Sequence, residues 1–150
     1  MESFSIAPAA TRTLWFLSVV LVVVLVPVLA LVGRSVVASR TAHFDVSSAG
    51  LQLRGDWYGR LIPAGQIRSN AVKRVDFAAE PALTPQRRTM GTGLPGYQAG
   101  WYRLKNGERA LLYLTDRSRA VYVPTTAGYS VLLSPAEPDA FMSAIRSIGR

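Results

Sequence analysis

The 150-residue chain has no cysteine, so it can form neither a disulfide framework nor a thiolate metal site. It has one histidine, His43, which alone cannot make a conventional zinc site. Acidic residues are scarce, nine against 17 basic ones, and they are scattered, so paired catalytic carboxylates find no support. No G-x-S-x-G element occurs to seat a serine nucleophile beside His43 or Asp45. A hydrolase with an unrecognised site would lose turnover on His43→Ala, and no such activity is expected. Runs of five or six like charges are missing too, so the net charge of +8 is spread over a solvated face. That excludes a dedicated polybasic tail, and no nucleic-acid partner is expected. No internal repeat appears at a fixed period.

What is present is a long oily run. Residues 14–33, LWFLSVVLVVVLVPVLALVG, carry no charge. At about 1.5 Å per helical residue, roughly 20 residues match a hydrocarbon core about 30 Å thick. The run is apolar on every side, which a small soluble domain could hardly cover. Arg12 and Arg34 bracket it, and Trp15 and Phe16 sit at interfacial depth. Pro27 removes one backbone donor, which a spanning helix tolerates. A cleaved signal peptide is a rival reading, but its apolar stretch is shorter, and Val36-Val37-Ala38 is a poor small-x-small site. The lipid bilayer is thus the first partner. Arg34 and Arg40 follow the run and Arg12 precedes it, so the positive-inside rule leans toward a cytoplasmic C-terminal domain at the inner membrane.

The expected organisation is a tail over 1–13, a transmembrane helix over 14–33, a link over 34–42 and one domain over 43–150. Residues 44–47 and 51–54 alternate apolar and polar around Ser48-Ala49-Gly50, which reads as a hairpin. Third and fourth strands are expected in 57–62 and 72–78. Residues 80–100, rich in proline and glycine, are expected to form a loop. Strands resume at 101–105 and 109–115 around Asn106-Gly107, a type I′ turn signal. Two more follow at 121–123 and 128–133.

The period then changes. Ser134-Pro135-Ala136-Glu137 fits a capping box with proline at the first helical position. Phe141, Ala144, Ile145 and Ile148 make one apolar stripe, and Glu137 and Asp139 suit the positive end of the helix dipole. The fold class is therefore mainly β: seven or eight short antiparallel strands closed by one C-terminal helix.

That order resembles the bacterial pleckstrin-homology (PH) domains, in particular small membrane-tethered members. The resemblance is carried by Phe44-Asp45-Val46 with Gly50-Leu51, and by Tyr58-Gly59-Arg60 with Ile62-Pro63. Gly91-Thr92-Gly93-Leu94-Pro95-Gly96-Tyr97 with Gly100, Asn106-Gly107 and Tyr113-Leu114-Thr115-Asp116 add to it. So do residues 129–133 with Ser134-Pro135 and Phe141, and the likeness spans 43–148. It implies a strongly bent antiparallel sheet, near a barrel, with the helix plugging one end. Inositol-phosphate recognition is not carried over, because Ser48-Ala49-Gly50 holds no basic residue.

Residues 91–96 also satisfy G-x-G-x-x-G, but Pro95 opposes the helix that a dinucleotide site needs. A structural glycine loop is expected instead. His43 is expected to be structural. Arg87 and Arg88, adjacent on the proline-flanked loop, are the candidate binding residues. They can reach anionic headgroups or an acidic partner. Tyr97 and Trp101, with Tyr102, either fill the barrel core or present an aromatic patch to a partner strand or peptide. No cofactor and no metal are expected. The reading that follows is a non-enzymatic scaffold or adaptor binding a protein partner at the bacterial membrane. The alternative is a lipid-headgroup or small-ligand module using the sheet mouth near the two arginines. An exposed sheet edge also leaves a homo-oligomer open.

Overall fold

The computed structural model describes residues 11–41, 43–55 and 58–148. The chain divides into two units, Met1–Arg40 and Thr41–Arg150. The first contains helix α1, Thr11–Thr41. Its segment Arg12–Arg34, 23 residues with none buried, is long and apolar enough to cross a membrane. The Ser18 hydroxyl donates to the Leu14 carbonyl at 2.8 Å, which satisfies the polar atom of that turn within the helix. Residues 34–41, expected as a link, continue the helix.

The second unit is two sheets and a helix. Strands β1 (His43–Ser47), β2 (Gly50–Arg54) and β3 (Leu61–Pro63) form an antiparallel sheet in that order. The remaining strands are β4 (Lys73–Arg74), β5 (Pro85–Leu94), β6 (Tyr97–Leu104), β7 (Arg109–Leu114), β8 (Val121–Pro124) and β9 (Ser130–Leu133). They form a six-stranded sheet ordered β4-β8-β9-β7-β6-β5. The expected fold class stands, with nine strands among the described residues rather than seven or eight. One pairing departs from it: β9 enters between β8 and β7 and runs parallel to β7.

The largest correction lies at residues 80–100. Most of this stretch is the hairpin β5–β6, not a loop. Pro85 opens an edge strand, and Pro95 sits in the turn beside Gly96 (φ +77°), so neither removes a donor from the ladder. Gly91 and Gly100 face each other with positive φ, and a Cβ on Gly100 would lie 2.5 Å from the Gly91 Cα. These glycines allow two strands to approach closely, where the sequence suggested only a loop.

Three smaller expectations are also revised. The third strand is residues 61–63; residues 56 and 57 lie outside those described. The fourth shrinks to Lys73–Arg74, because Asp76 starts a turn in which its carboxylate accepts from Ala78 N. The Asn106-Gly107 turn is not type I′, since Asn106 has no positive φ. Instead Gly107 N donates to Leu104 O and Leu104 N to Glu108 O, a three-residue loop with Gly107 at φ +85°.

The capping box does not form. Helix α2 runs Pro138–Ile148, and the Glu137 carbonyl takes its first bond, from Phe141 N. The Ser134 hydroxyl is used elsewhere, donating to Asp116 O at 2.7 Å and accepting from Asp116 N. The stripe behaves as expected: Phe141 and Ile145 are buried and Ile148 packs on the same core.

The six-stranded sheet is covered on both faces. Leu111, Tyr113, Val131 and Leu133 pack in one core with Leu51, Leu53 and Ile62 of the smaller sheet and with α2. Leu104, Leu112, Leu114 and Leu132 pack in a second core with Val75 and Leu83. Edge-to-face contacts of Phe44 with Tyr113 (6.1 Å) and Phe141 (6.4 Å) join β1, β7 and α2.

Candidate functional site: an arginine row beside Trp101

Strand register gathers arginines that lie far apart in sequence. Arg87 of β5 is opposite Arg103 of β6, and Arg103 is opposite Arg109 of β7. Directly opposed residues point to the same face, so the three form a row across three strands. All three are exposed. Trp101 lies two residues before Arg103 and so shares its face, half-buried against the first core.

A fourth arginine comes from the other sheet. Leu53 N donates to Arg60 O at 2.9 Å, which fixes the Arg60 backbone beside β2. Its guanidinium then reaches the Trp101 ring, 5.0 Å from the centroid, and the Tyr129 ring at 6.0 Å. Arg109 also lies 5.0 Å from the Trp101 centroid, and Tyr129 meets that ring edge-on at 5.0 Å. The indole is thus a shared platform for two cations.

No carboxylate among the described residues neutralises this cluster. The ion pairs are Asp45 with Arg54, Lys73 with Glu80, and Asp116 with Arg119. Glu108, although next to Arg109 in sequence, accepts from the Tyr122 hydroxyl at 3.0 and 3.1 Å. Burial, reinforced by that carboxylate, pushes the Tyr122 phenol up to about 12. Arg103 spends one donor on Gly107 O. Like charges opposed across strands cost a few tenths of a kcal/mol or more. The arrangement therefore favours an anion from outside: guanidinium groups offer planar, forked donors suited to carboxylates and phosphates.

The four residues singled out from sequence separate. Arg87 and Trp101 share the face just described. Arg88, one residue on, faces the other way and is paired with Tyr102. There its guanidinium and the Tyr102 hydroxyl crowd the same spot, 3.2 and 3.0 Å from where a Gly93 Cβ would stand. Burial raises the Tyr102 phenol above its ordinary range, and Arg88 works against that. Arg87 and Arg88 are therefore strand residues on opposite faces, not a loop pair. Tyr97 is buried in the first core, so core is the answer for it and for Tyr102, and rim for Trp101. His43 stands exposed at the start of β1.

Sequence reasoning does not single out Arg60, Arg103, Arg109 or Tyr129. The legible signal is the hairpin itself, because its register decides which arginines face each other. A second feature is an open groove of about 310 Å³ at the β5–β6 turn, lined by Leu94, Gln98, Leu114 and Arg117 among others. Arg117 closes one side of it, donating to Gln98 Oε1 at 3.4 Å with its guanidinium 5.8 Å from the Phe77 ring. Among the described residues no three of His, Asp and Glu are placed to hold a metal ion.

The bacterial PH domain family model matches residues 43–148. No curated protein and no solved structure matches the chain.

Proposed function

Because this chain belongs to the bacterial PH-domain family, we propose that it is a membrane-tethered, non-catalytic interaction domain that holds an acidic protein partner at the bacterial inner membrane. The apolar helix supplies the tether, and residues 34–42 alone separate its apolar run from the first strand. The domain lies on the cytoplasmic side, in keeping with Arg34 and Arg40 after the apolar run. PH domains in general are interaction modules rather than catalysts. The observation that carries the reading is the row Arg87, Arg103, Arg109 with Arg60 around Trp101, uncompensated by any described carboxylate.

A photo-crosslinking residue in place of Met90, 63% exposed and opposite Trp101, tests it in cells. The expected result is a discrete protein adduct that disappears when Arg87, Arg103 and Arg109 are changed to glutamate. An adduct that survives the reversal overturns the arginine face as the binding surface. Adducts confined to lipid favour the second reading, a headgroup module, which the small number of residues between the apolar run and the first strand supports. Sidedness is read with Ala127→Cys, an exposed turn residue in a chain without other thiols. Protection from an impermeant maleimide until the membrane is breached is the expected outcome.

A further inference from the structure

The two outer strands of the six-stranded sheet are guarded very differently. β4 is two residues long and both are basic. β5 is ten residues long. In the smaller sheet, β3 has three residues and ends in proline, and β1 has five. Short length, charge and proline are the usual protections of an open edge, and β-bulges are another. The first half of β5 has them: Pro85, Arg87, Arg88 and register breaks at 85/87 and 88/90. The second half, residues 90–94, has none. Its pairing to β6 is unbroken from Met90 to Leu94, and among the described residues no further backbone hydrogen bond engages its outer side.

The side chains of this half leave the edge open. Gly91 and Gly93 fall on one face and bring no side chain of their own, the Arg88 guanidinium and the Tyr102 hydroxyl lying over Gly93. Met90, Thr92 and Leu94 fall on the other, with Met90 63% and Leu94 36% exposed. The Thr92 carbonyl accepts from the Tyr102 hydroxyl but keeps a second lone pair.

We propose that residues 90–94 are a strand-addition edge for an extended, acid-flanked segment of the partner protein. This rests on the reading of the arginine face given above. A strand laid beside residues 90–94 would stand about 4.8 Å from β5, and its end would continue past the 88/90 register break to the level of Arg87. A carboxylate there meets Arg87, while apolar residues further along meet Met90 and Leu94. Backbone pairing supplies the affinity and the arginine supplies the register. A second copy of this chain is the wrong occupant. It would bring a further net charge of +8, and its own Arg87 and Arg88, to an edge already ringed by arginines.

The test uses the full chain in phosphatidylcholine nanodiscs. The probe is a capped heptapeptide of alternating valine and threonine with aspartate at both ends. Two controls carry lysine at the ends or N-methyl groups on alternate backbone amides. The aspartate peptide is expected to slow hydrogen exchange at the outward amides of residues 90–94. Binding is expected to weaken about tenfold with the lysine ends and with Arg87→Glu, and to vanish on N-methylation. Equal binding of the N-methylated peptide overturns edge pairing while leaving the arginine surface standing. No binding of any peptide overturns edge pairing; the Met90 crosslink then decides separately whether the arginine face holds a protein. Phosphatidylglycerol vesicles that slow the same amides overturn the proposal in favour of a lipid occupant.

Discussion

Arg60 sits with its guanidinium carbon 5.0 Å from the centroid of the Trp101 ring, a contact between a loop of the small sheet and a strand of the large one. It ties the two sheets at their rim. Arg60→Ala should therefore cost about 0.5–1 kcal/mol, the range of a partly exposed cation–π contact. The chain has three tryptophans, so the emission of Trp101 in the large sheet should be isolated by comparison with a Trp101→Phe background. The Trp101 component should shift on Arg60→Ala, and an unchanged spectrum would show that the contact is not kept in solution.

Arg103 should trade stability against binding. It faces Arg87 on one side and Arg109 on the other, so Arg103→Gln removes two like-charge oppositions. The same change gives up the guanidinium's hydrogen bond to Gly107 O. The expected net gain is a few tenths of a kcal/mol at low salt, fading as salt screens the row. Denaturant midpoints at two ionic strengths measure it. The same variant should capture its acidic partner less well. A variant less stable at low salt than the parent would mean that the guanidinium is held by contacts, not strained by neighbours.

These arginines show where sequence reasoning reaches and where it stops. The oily helix, the β class and the apolar stripe of Phe141, Ile145 and Ile148 are legible because each rests on a local period. The row is not, because it depends on register. A two-residue Asn106-Gly107 turn would have set Arg103 against Ala110. The three-residue loop, with Gly107 alone at positive φ, sets it against Arg109 instead. One residue of loop length decides whether the charges meet. Residues 80–100 mislead for a related reason: glycine and proline read as breakers, whereas Gly91 and Gly100 serve close strand approach. Alternation, applied to a strand there, would have separated Arg87 from Arg88. The Ser134 box misleads because a tertiary partner, the Asp116 backbone, wins its hydroxyl.

Two groups should shape the pH dependence at opposite ends. The Asp116 carboxylate accepts from Ser118 Oγ at 2.6 Å and Ser118 N at 2.8 Å, with Arg119 nearby, and these hold it below its ordinary value of 3.8. A lowered value means stability present above 3.8 and lost as pH falls through the folded value. In Asp116→Ala the parent's advantage in melting temperature should therefore shrink with acidification below that point. Tyr122 runs the other way, raised from 10 to about 12. Its contribution is complete below 10 and is lost as pH climbs toward 12. Phenolate absorbance should show a tyrosine ionising near 12 that Tyr122→Phe removes. Ionisation of that group near 10 would show that the buried setting of the phenol beside Glu108 is not maintained.

Gly96 and Gly100 allow strain and crowding to be separated within one hairpin. Both have positive φ, +77° and +114°. A Cβ at Gly96 would meet nothing within 4 Å, so Gly96→Ala should cost only the left-handed backbone penalty, about 1–2 kcal/mol. At Gly100 the added atom would stand 2.5 Å from both the Gly91 Cα and the Met90 carbonyl oxygen. Backbone cannot swing aside as a flexible side chain can, so β5 must part from β6. Gly100→Ala should then cost clearly more, about 3 kcal/mol or above, among the large values seen for single substitutions. It should also free the amides of β5 to exchange while the pairing of β8 with β9 stays protected. Equal midpoint losses in urea for the two variants would show that the strands do not approach at Gly91 and Gly100 as closely as described.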